Sequence, residues 1–482
     1  MKGNPMITAS QRLGVHRFRH ENAEEVLRDP YPLIDKDLTA EAERARRALV
    51  HSLIEPVGRR ACAAFLETDD YAKVAETVGA VMGCLLLECL PRLVRELGGQ
   101  IAFAGIFSDR SDAFLNPIQH TVQVAGETRP IVDVGYLFVH LPDEKVVVSS
   151  RCEDTNAGLV YQLAVRSSRD SAAFFRRWRK FARENNYLRG QAFFADGEIL
   201  QRRRAYSWDD IMLPPGVRRA IETHVEGFLR NRARLRALGV KPRRGLILEG
   251  PPGTGKTLLG KVLADTLEAS FLWVSPRHID HSPPAFAHIL EVARFVAPTV
   301  LFLEDLDLFA EDRDVRSTMA LGELMNQLDG AVDNEDVITI ATTNRLEVVE
   351  KALRNRPGRF DRVLRLDALD EACRWRLLER LLSRAVISKD NLEHLVSATK
   401  DYTGAQLEEL TNTLYILAVE RYVDGLRSGD GNGDGPAAEA GARIAAEEAA
   451  DAVAPMPIGR SLIAAALDEF RVELKARVGF SA

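Results

Sequence analysis

The chain has few cysteines, and none is arranged for metal or redox work. Cys62, Cys84, Cys89, Cys152 and Cys373 are scattered through 482 residues, without the paired spacing of a zinc site or a disulfide framework. Reduced thiols and a cytosolic setting are expected. Long apolar runs are missing as well. The most apolar stretch, 78–90, is interrupted by Glu88 and is too short to span a bilayer. The N-terminus lacks the basic start, apolar stretch and small-residue cleavage site of a signal peptide. A cytoplasmic protein without a membrane span is therefore expected. Charge of one sign is also lacking. A net charge of −6 gives no general attraction to nucleic acid or to an anionic membrane. There is no internal repeat. What remains is ordinary globular material, 46% apolar, which excludes global disorder. Its length calls for about two or three domains.

The most informative residues present are Gly250-Pro251-Pro252-Gly253-Thr254-Gly255-Lys256-Thr257. They follow the apolar run Leu246-Ile247-Leu248 and precede a helical pattern from Leu258 to Ala264. Strand, glycine-rich loop, Lys-Thr and helix together make a phosphate-binding loop. The glycines let the backbone wrap closely and aim its N–H groups at phosphate oxygens. Lys256 supplies a point charge for the β- and γ-phosphates, and the Thr257 hydroxyl is a ligand for Mg²⁺. The helix adds the positive end of its dipole. Binding of a nucleoside triphosphate follows, with ATP and Mg²⁺ as the expected cofactors.

Around this loop the chain divides into three parts. Residues 1–200 read as an α+β N-terminal domain suited to client or partner recognition. Apolar positions recur at helical spacing over 23–97, and strand signals follow at 120–124, 136–139, 146–148 and 159–163. An amphipathic helix closes the region, with Phe174, Phe175, Trp178, Phe181 and Ala182 on one face. Its other face carries Arg176, Arg177, Arg179, Lys180 and Arg183. A solvated basic face over a core-facing stripe is the commoner arrangement, and a nucleic-acid surface the rarer one. Residues 201–367 alternate strands and helices, with strands at 246–248, 271–274, 300–303, 337–341 and 363–366. That order implies a parallel sheet with helices on both faces. Residues 368–482 read as a small helical domain with a low-complexity excursion at about 427–458. The fold class is α/β, a parallel-sheet P-loop core with a helical lid.

Further candidates complete the nucleotide site. The buried-strand pattern at 300–303 ends in Glu304 and Asp305, placed to hold Mg²⁺ and activate water. A second apolar strand ends in Thr342-Thr343-Asn344, a polar tip able to orient the attacking water. Arg356-Pro357-Gly358-Arg359 projects two guanidinium groups from a rigid turn, able to stabilise charge developing on a γ-phosphate.

Taken together, these motifs resemble the AAA ATPases, in the branch holding proteasomal ATPases, membrane-anchored AAA proteases and katanin- or spastin-like severing enzymes. The resemblance runs from about Tyr206 to Tyr422. It implies a ring of subunits, usually a homohexamer, acting on a protein client, with nucleic acid an improbable partner. In that resemblance Asn344 matches the water-positioning sensor. Arg356 and Arg359 match fingers that reach a neighbour's nucleotide. Asp210 and Ile211 match the segment passing the adenine, and Gly404 and Ala405 the lid contact to the base.

The chain departs from the family in several places. The family's acidic strand usually ends Asp then Glu. The order Glu304-Asp305 resembles instead the mitochondrial inner-membrane AAA translocase of the Rieske iron–sulfur protein. The segment 275–284 has no aromatic–apolar–glycine triplet of the kind that grips a threaded polypeptide. Its neighbourhood holds His278, His281 and His288, for which loop polarity is a simpler account than a metal. No His-Glu-x-x-His is present, so no zinc protease is fused here. Two rival readings stand beside a remodelling ATPase. One is a nucleotide-binding scaffold with weak hydrolysis, and the other a nucleic-acid remodelling ATPase.

Overall fold

The computed structural model describes residues 61–68, 70–108, 113–124, 127–155, 158–201, 204–240, 243–276, 284–308, 336–353, 360–429 and 456–479. The N-terminal part is a seven-stranded antiparallel sheet with two helices across one face. Its strands are β1 (Lys73–Gly79), β2 (Gln100–Ser108), β3 (Ala113–Leu115), β4 (Ile118–Val124), β5 (Glu127–His140), β6 (Lys145–Thr155) and β7 (Gly158–Ser167). They run in the order β1-β7-β6-β5-β2-β3, with β4 also paired to β5. Helix α1 (Ala80–Glu96) follows β1, and α2 (Ser171–Asn185) follows β7.

Residues 73–79 lie in the stretch whose spacing reads as helical, yet they form a strand antiparallel to β7. Val74 and Val78 are four apart, which fits a helical face and also one face of a strand. The alternation of exposed Lys73, Ala75 and Thr77 with more buried neighbours shows which period won. In α2 the apolar stripe is core. Phe174, Trp178 and Ala182 are fully buried, and the Trp178 indole N–H donates to Leu86 O at 2.8 Å. Asp170 caps the helix by accepting from the N–H groups of Ala172 and Ala173. On the basic face, Arg179 is paired with Glu76 and lies 3.8 Å from Glu291.

The second part is a six-stranded sheet in which every pairing is parallel. Its members are β8 (Ala192–Phe194), β9 (Arg243–Glu249), β10 (Ser270–Val274), β11 (Thr299–Leu303), β12 (Val337–Thr343) and β13 (Arg362–Arg365), in the order β13-β9-β12-β11-β10-β8. Helices α3 (Pro215–Ile221) and α4 (Gly227–Ala237) precede β9. Then α5 (Lys256–Thr266) follows β9, α6 (Pro284–Phe295) follows β10 and α7 (Leu346–Leu353) follows β12. Strands β10, β11 and β12 are buried throughout, as expected when helices cover both faces. The edge strand β8 comes from 192–194, within the stretch assigned on sequence to the N-terminal domain. It pairs with β10 through Phe271↔Ala192 and Trp273↔Phe194.

One apolar core is continuous between the two parts. It joins Leu86 and Leu90 of α1 to Phe286, Ile289 and Leu290 of α6 and to Leu301 of β11. At this junction a Cβ on Gly79 would stand 2.8 Å from His288 Cγ, so a hydrogen there is what lets α1 meet α6.

The third part is helical. It contains α8 (Glu371–Leu381), α9 (Lys389–Ala398), α10 (Gly404–Gly429) and α11 (Arg460–Gly479), with a short parallel pair, β14 (Ala385–Ile387) and β15 (Met456–Ile458). Leu377, Leu395, Leu407, Leu410 and Leu414 share a core with Ile463, Leu467 and Phe470. The final helix thus docks back onto the other helices of this part. Most of the low-complexity excursion lies outside the described residues. Among the described residues, no helix is long and apolar enough to cross a membrane.

Helix α5 is seated on the sheet through Gly260, where a Cβ would stand 2.6 Å from Phe302 Cζ and 3.0 Å from Trp273 Cη2. Both rings are buried. Ala for Gly inside a helix ordinarily stabilises by about 0.5–1 kcal/mol, whereas overpacking a full core costs about 1–3 kcal/mol. Gly260→Ala should therefore destabilise by about 1–2 kcal/mol. Denaturant unfolding of the variant against the parent checks the sign, and a gain in stability would show that α5 is not held this close.

Candidate functional site

The loop 250–255 leaves the carboxyl end of β9, a strand flanked by β12 on one side and β13 on the other. Open parallel sheets form their ligand crevice at such a switch point. A Cβ on Gly250 would stand 2.0 Å from Leu366 O, so only glycine fits this turn. Gly253 has φ +82° and faces the third part of the chain, 2.9 Å separating its ideal Cβ position from Thr403 Oγ1. Pro251 and Pro252 are exposed, while Thr254 is buried and donates to Pro251 O at 2.9 Å. Gly255, with φ +96°, precedes the first residue of α5. Lys256 is buried, and its ammonium donates to Gly250 O at 2.5 Å and Pro251 O at 2.8 Å. Burial pulls its pKa below the usual lysine value, against the upward pull of Asp305, Asp307 and Glu249.

The acidic strand delivers its carboxylates beside the loop. The Thr257 hydroxyl donates to Glu304 Oε1 at 2.7 Å, and the Trp273 indole N–H donates to Glu304 Oε2 at 3.0 Å. A hydroxyl and a carboxylate oxygen so close, at the start of a helix, form an all-oxygen donor set of the kind Mg²⁺ takes with additional waters. Asp305 has φ +51°, in the left-handed region, and its N–H donates to Thr342 Oγ1 at 2.9 Å. Such a backbone costs about 1–3 kcal/mol and is kept only where its surroundings hold it. Burial raises the Asp305 carboxyl above its ordinary value, helped by the charges of Glu304 and Asp307 and opposed by Lys256.

Asp307 is a residue that reading the sequence alone missed. It is 2% exposed. Its Oδ1 accepts from Thr343 Oγ1 at 2.9 Å and from the Asn344 N–H at 3.2 Å. This carboxylate pins the tip of β12 to the end of β11 and so fixes where Asn344 sits, between the loop and the acids. The spacing Glu304-Asp305-x-Asp307 was the available signal. Arg356 and Arg359 lie outside the described residues.

A second wall comes from 204–211 and from the third part of the chain. Asp210 Oδ2 accepts from the Ser207 N–H at 2.8 Å, and Oδ1 accepts from Arg204 at 2.8 Å. The Ser207 bond and then Arg204 hold its carboxyl below the usual range. Arg380 of α8 donates to the carbonyls of Asp209 and Asp210. Ile211 is buried, with its Cδ1 3.5 Å from the ideal Cβ position of Gly255. At the start of α10, the Ala405 N–H donates to Gly253 O at 3.2 Å, and the ideal Cβ of Gly404 lies 3.7 Å from the same oxygen. The loop, the acid pair, Asn344, 210–211 and 404–405 thus surround one crevice. Beside it, a cleft of about 830 Å³ opens between Thr257, Glu304, Trp273 and Tyr206.

Comparison with known proteins agrees with this geometry. The family model described as "ATPase family associated with various cellular activities (AAA)" matches residues 246–368. Similar curated proteins include Protein CdcH of Halobacterium salinarum, 36% identical over 39% of this chain and 26% of its own length. The ATP-dependent zinc metalloprotease FtsH 1 of Methylacidiphilum infernorum is 33% identical over 50% of this chain and 40% of its length. A cell division cycle protein 48 homolog of Archaeoglobus fulgidus is 32% identical over 42% of this chain and 29% of its length. The chain spans between 26% and 40% of the length of these three relatives. The loop geometry, the strand order and the family match converge on one statement: this chain carries an AAA ATPase domain within a parallel α/β P-loop core.

Proposed function

We propose that the chain is an ATP-hydrolysing AAA ring ATPase, a homohexamer in the family's usual form, that remodels, disassembles or translocates a protein client in the cytoplasm. The observation that carries this reading is the meeting of Thr257 and Glu304 beside the buried Lys256. The N-terminal domain is the natural place for client choice, because it carries a surface the ATPase core does not need. Five free cysteines suit a reducing compartment. The nucleic-acid alternative rested on aromatics beside a basic stripe, and Phe174 and Trp178 are buried in the core. Their burial favours the protein client.

In this reading Lys256 and the loop amides bind the β- and γ-phosphates. Thr257 and Glu304 would hold Mg²⁺, which when bound supplies positive charge to the phosphates. Asp305 takes the proton of the attacking water, and Asn344 orients that water. Asp210 and Ile211, with Gly404 and Ala405, frame the base. Arg356 and Arg359 act on a neighbouring subunit's nucleotide.

Losing the Lys256 ammonium removes charge-assisted bonds worth about 2 kcal/mol, or about thirtyfold in affinity. Lys256→Ala should weaken ATP binding by at least that much in calorimetry, and affinity within threefold of the parent would sink the assignment.

Asp305→Asn should keep ATP binding but lose turnover by about 10²–10⁴-fold. A base must be deprotonated to act, and burial raises this carboxyl. The acid limb of the parent kcat/KM profile, which reports the free protein, should therefore lie above the ordinary aspartate range. Unchanged turnover in the variant favours a different base, and absence of turnover in the parent favours the scaffold.

A finger supplied in trans can be worth about 10³–10⁵ in rate. Specific activity should then rise with protein concentration, and Arg359→Ala should bind ATP yet hydrolyse poorly. Mixing Arg359→Ala with Lys256→Ala should recover activity, because an intact loop can then face an intact finger. Concentration-independent turnover by a verified monomer would defeat the ring mechanism.

A further inference from the structure

A second cleft, of about 1350 Å³, shares Gln201 with the cleft beside the nucleotide crevice and runs into the N-terminal part, with Cys84, His120, Asp133 and Tyr161 in its wall. Apolar Val81, Val122, Leu159 and Ile199 line one part of the remainder, and Gln191, Asp196, Glu198 and Gln201 give its rim a polar part. The Cys84 sulfur stands 3.8 Å from His120 Nε2, and His120 Nδ1 stands 2.9 Å from Asp133 Oδ1. Tyr161 donates its hydroxyl to the same Asp133 oxygen, and Ser150 Oγ donates to Asp133 O at 3.2 Å.

Backbone register creates this row. His120 on β4 lies opposite Ile131 on β5, so Asp133 is its diagonal neighbour on the same face. Helix α1 lies over that face and brings Cys84 to the outer ring nitrogen. The His120 side chain is 41% exposed and that of Asp133 20%, so solvent and a ligand reach the base. Nucleophile, base and an orienting carboxylate within reach of one another are the geometric mark of covalent catalysis.

We propose that this cleft is a second catalytic site, in which a Cys84–His120–Asp133 relay hydrolyses carboxylic esters or thioesters whose acyl group fits its apolar wall. Cys84 Sγ attacks the acyl carbon while His120 Nε2 takes the thiol proton. The carbon–oxygen or carbon–sulfur bond to the leaving group breaks, and the leaving group receives that proton. Water then attacks the acyl thioester with His120 as base, releasing the carboxylic acid and restoring the thiol. The sum is ester plus water to acid plus alcohol, or thioester plus water to acid plus thiol. Asp133 is a positioning residue that holds the Nδ1–H tautomer, as in Ser–His–Asp sites. Burial pushes the Cys84 thiol up to about 12, so the sulfur keeps its proton at rest and loses it to His120 as the bond forms.

The test uses the full chain with p-nitrophenyl butyrate. A burst of p-nitrophenolate stoichiometric with protein is expected, together with a butyryl mass increment on the peptide holding Cys84. Cys84→Ala should abolish the burst, while Cys152→Ala, in the same cleft, should keep it. His120→Ala and Asp133→Asn should slow acylation at least tenfold, and Asp133→Glu should recover part of the loss. ATP binding and the unfolding midpoint of Cys84→Ala should match the parent. A second arm needs no substrate and no cysteine variant. Iodoacetamide should alkylate Cys84 of the folded protein, and His120→Ala should slow that alkylation at least tenfold. No acyl adduct at Cys84, or alkylation indifferent to His120, would overturn the proposal.

Discussion

The nucleotide crevice depends on where β9 is paired. With β12 on one side and β13 on the other, its carboxyl end becomes the point where three chain segments converge. The loop at 250–255 can turn there only because Gly250 lets Leu366 O approach to a distance no Cβ would permit. Leu366 also donates its N–H to Glu249 O at 2.7 Å, so the segment after β13 closes one side of the loop. The third part of the chain closes the other through Ala405 and Gly253. The loop is therefore held by backbone contacts on both flanks, while the Lys256 ammonium bonds to the loop's own carbonyls at Gly250 and Pro251.

Electrostatics at the crevice is a balance between one buried cation and several acids. Burial draws Lys256 away from its charged form while Asp305, Asp307 and Glu249 favour it, and Lys256 in turn favours the charged form of Asp305. Division of labour follows from environment. Glu304 is tied to Thr257 and Trp273, which hold both of its carboxylate oxygens. Asp307 is committed to Thr343 and the Asn344 backbone and is fixed as a brace. Asp305 stands on a left-handed backbone between them, and burial pushes its carboxyl up. Two acids with separated environments are how a site assigns different roles to the same chemistry.

Much of this was legible in the sequence, and the reason is physical. Strands β10 to β12 are largely apolar runs because helices bury both faces, and such runs stand out. The loop is legible because its glycines, Lys256 and Thr257 are each required by phosphate geometry. β1 was not legible, since Val74 and Val78 satisfy two periods at once and only the β7 partner decides between them. β8 was hidden for another reason: three residues carry no period, and its membership depends wholly on β10. Asp307 escaped because its role is to hold other residues in place. The diagonal pairing of His120 with Asp133 exists only after β4 and β5 find their register.

The short strand β8 has a mechanical consequence. It carries the N-terminal domain onto the edge of the catalytic sheet, beside a shared apolar core between α1 and α6. Its neighbour β10 contains Trp273, whose indole holds Glu304. The two parts are therefore joined in shear along a hydrogen-bonded edge, a geometry that resists pulling far better than a flexible leash would. A displacement of the Glu304 carboxylate reaches the N-terminal part through a few stiff bonds, and a load on that part returns by the same path. The N-terminal part is thus geared to the parallel sheet, with no slack chain between them.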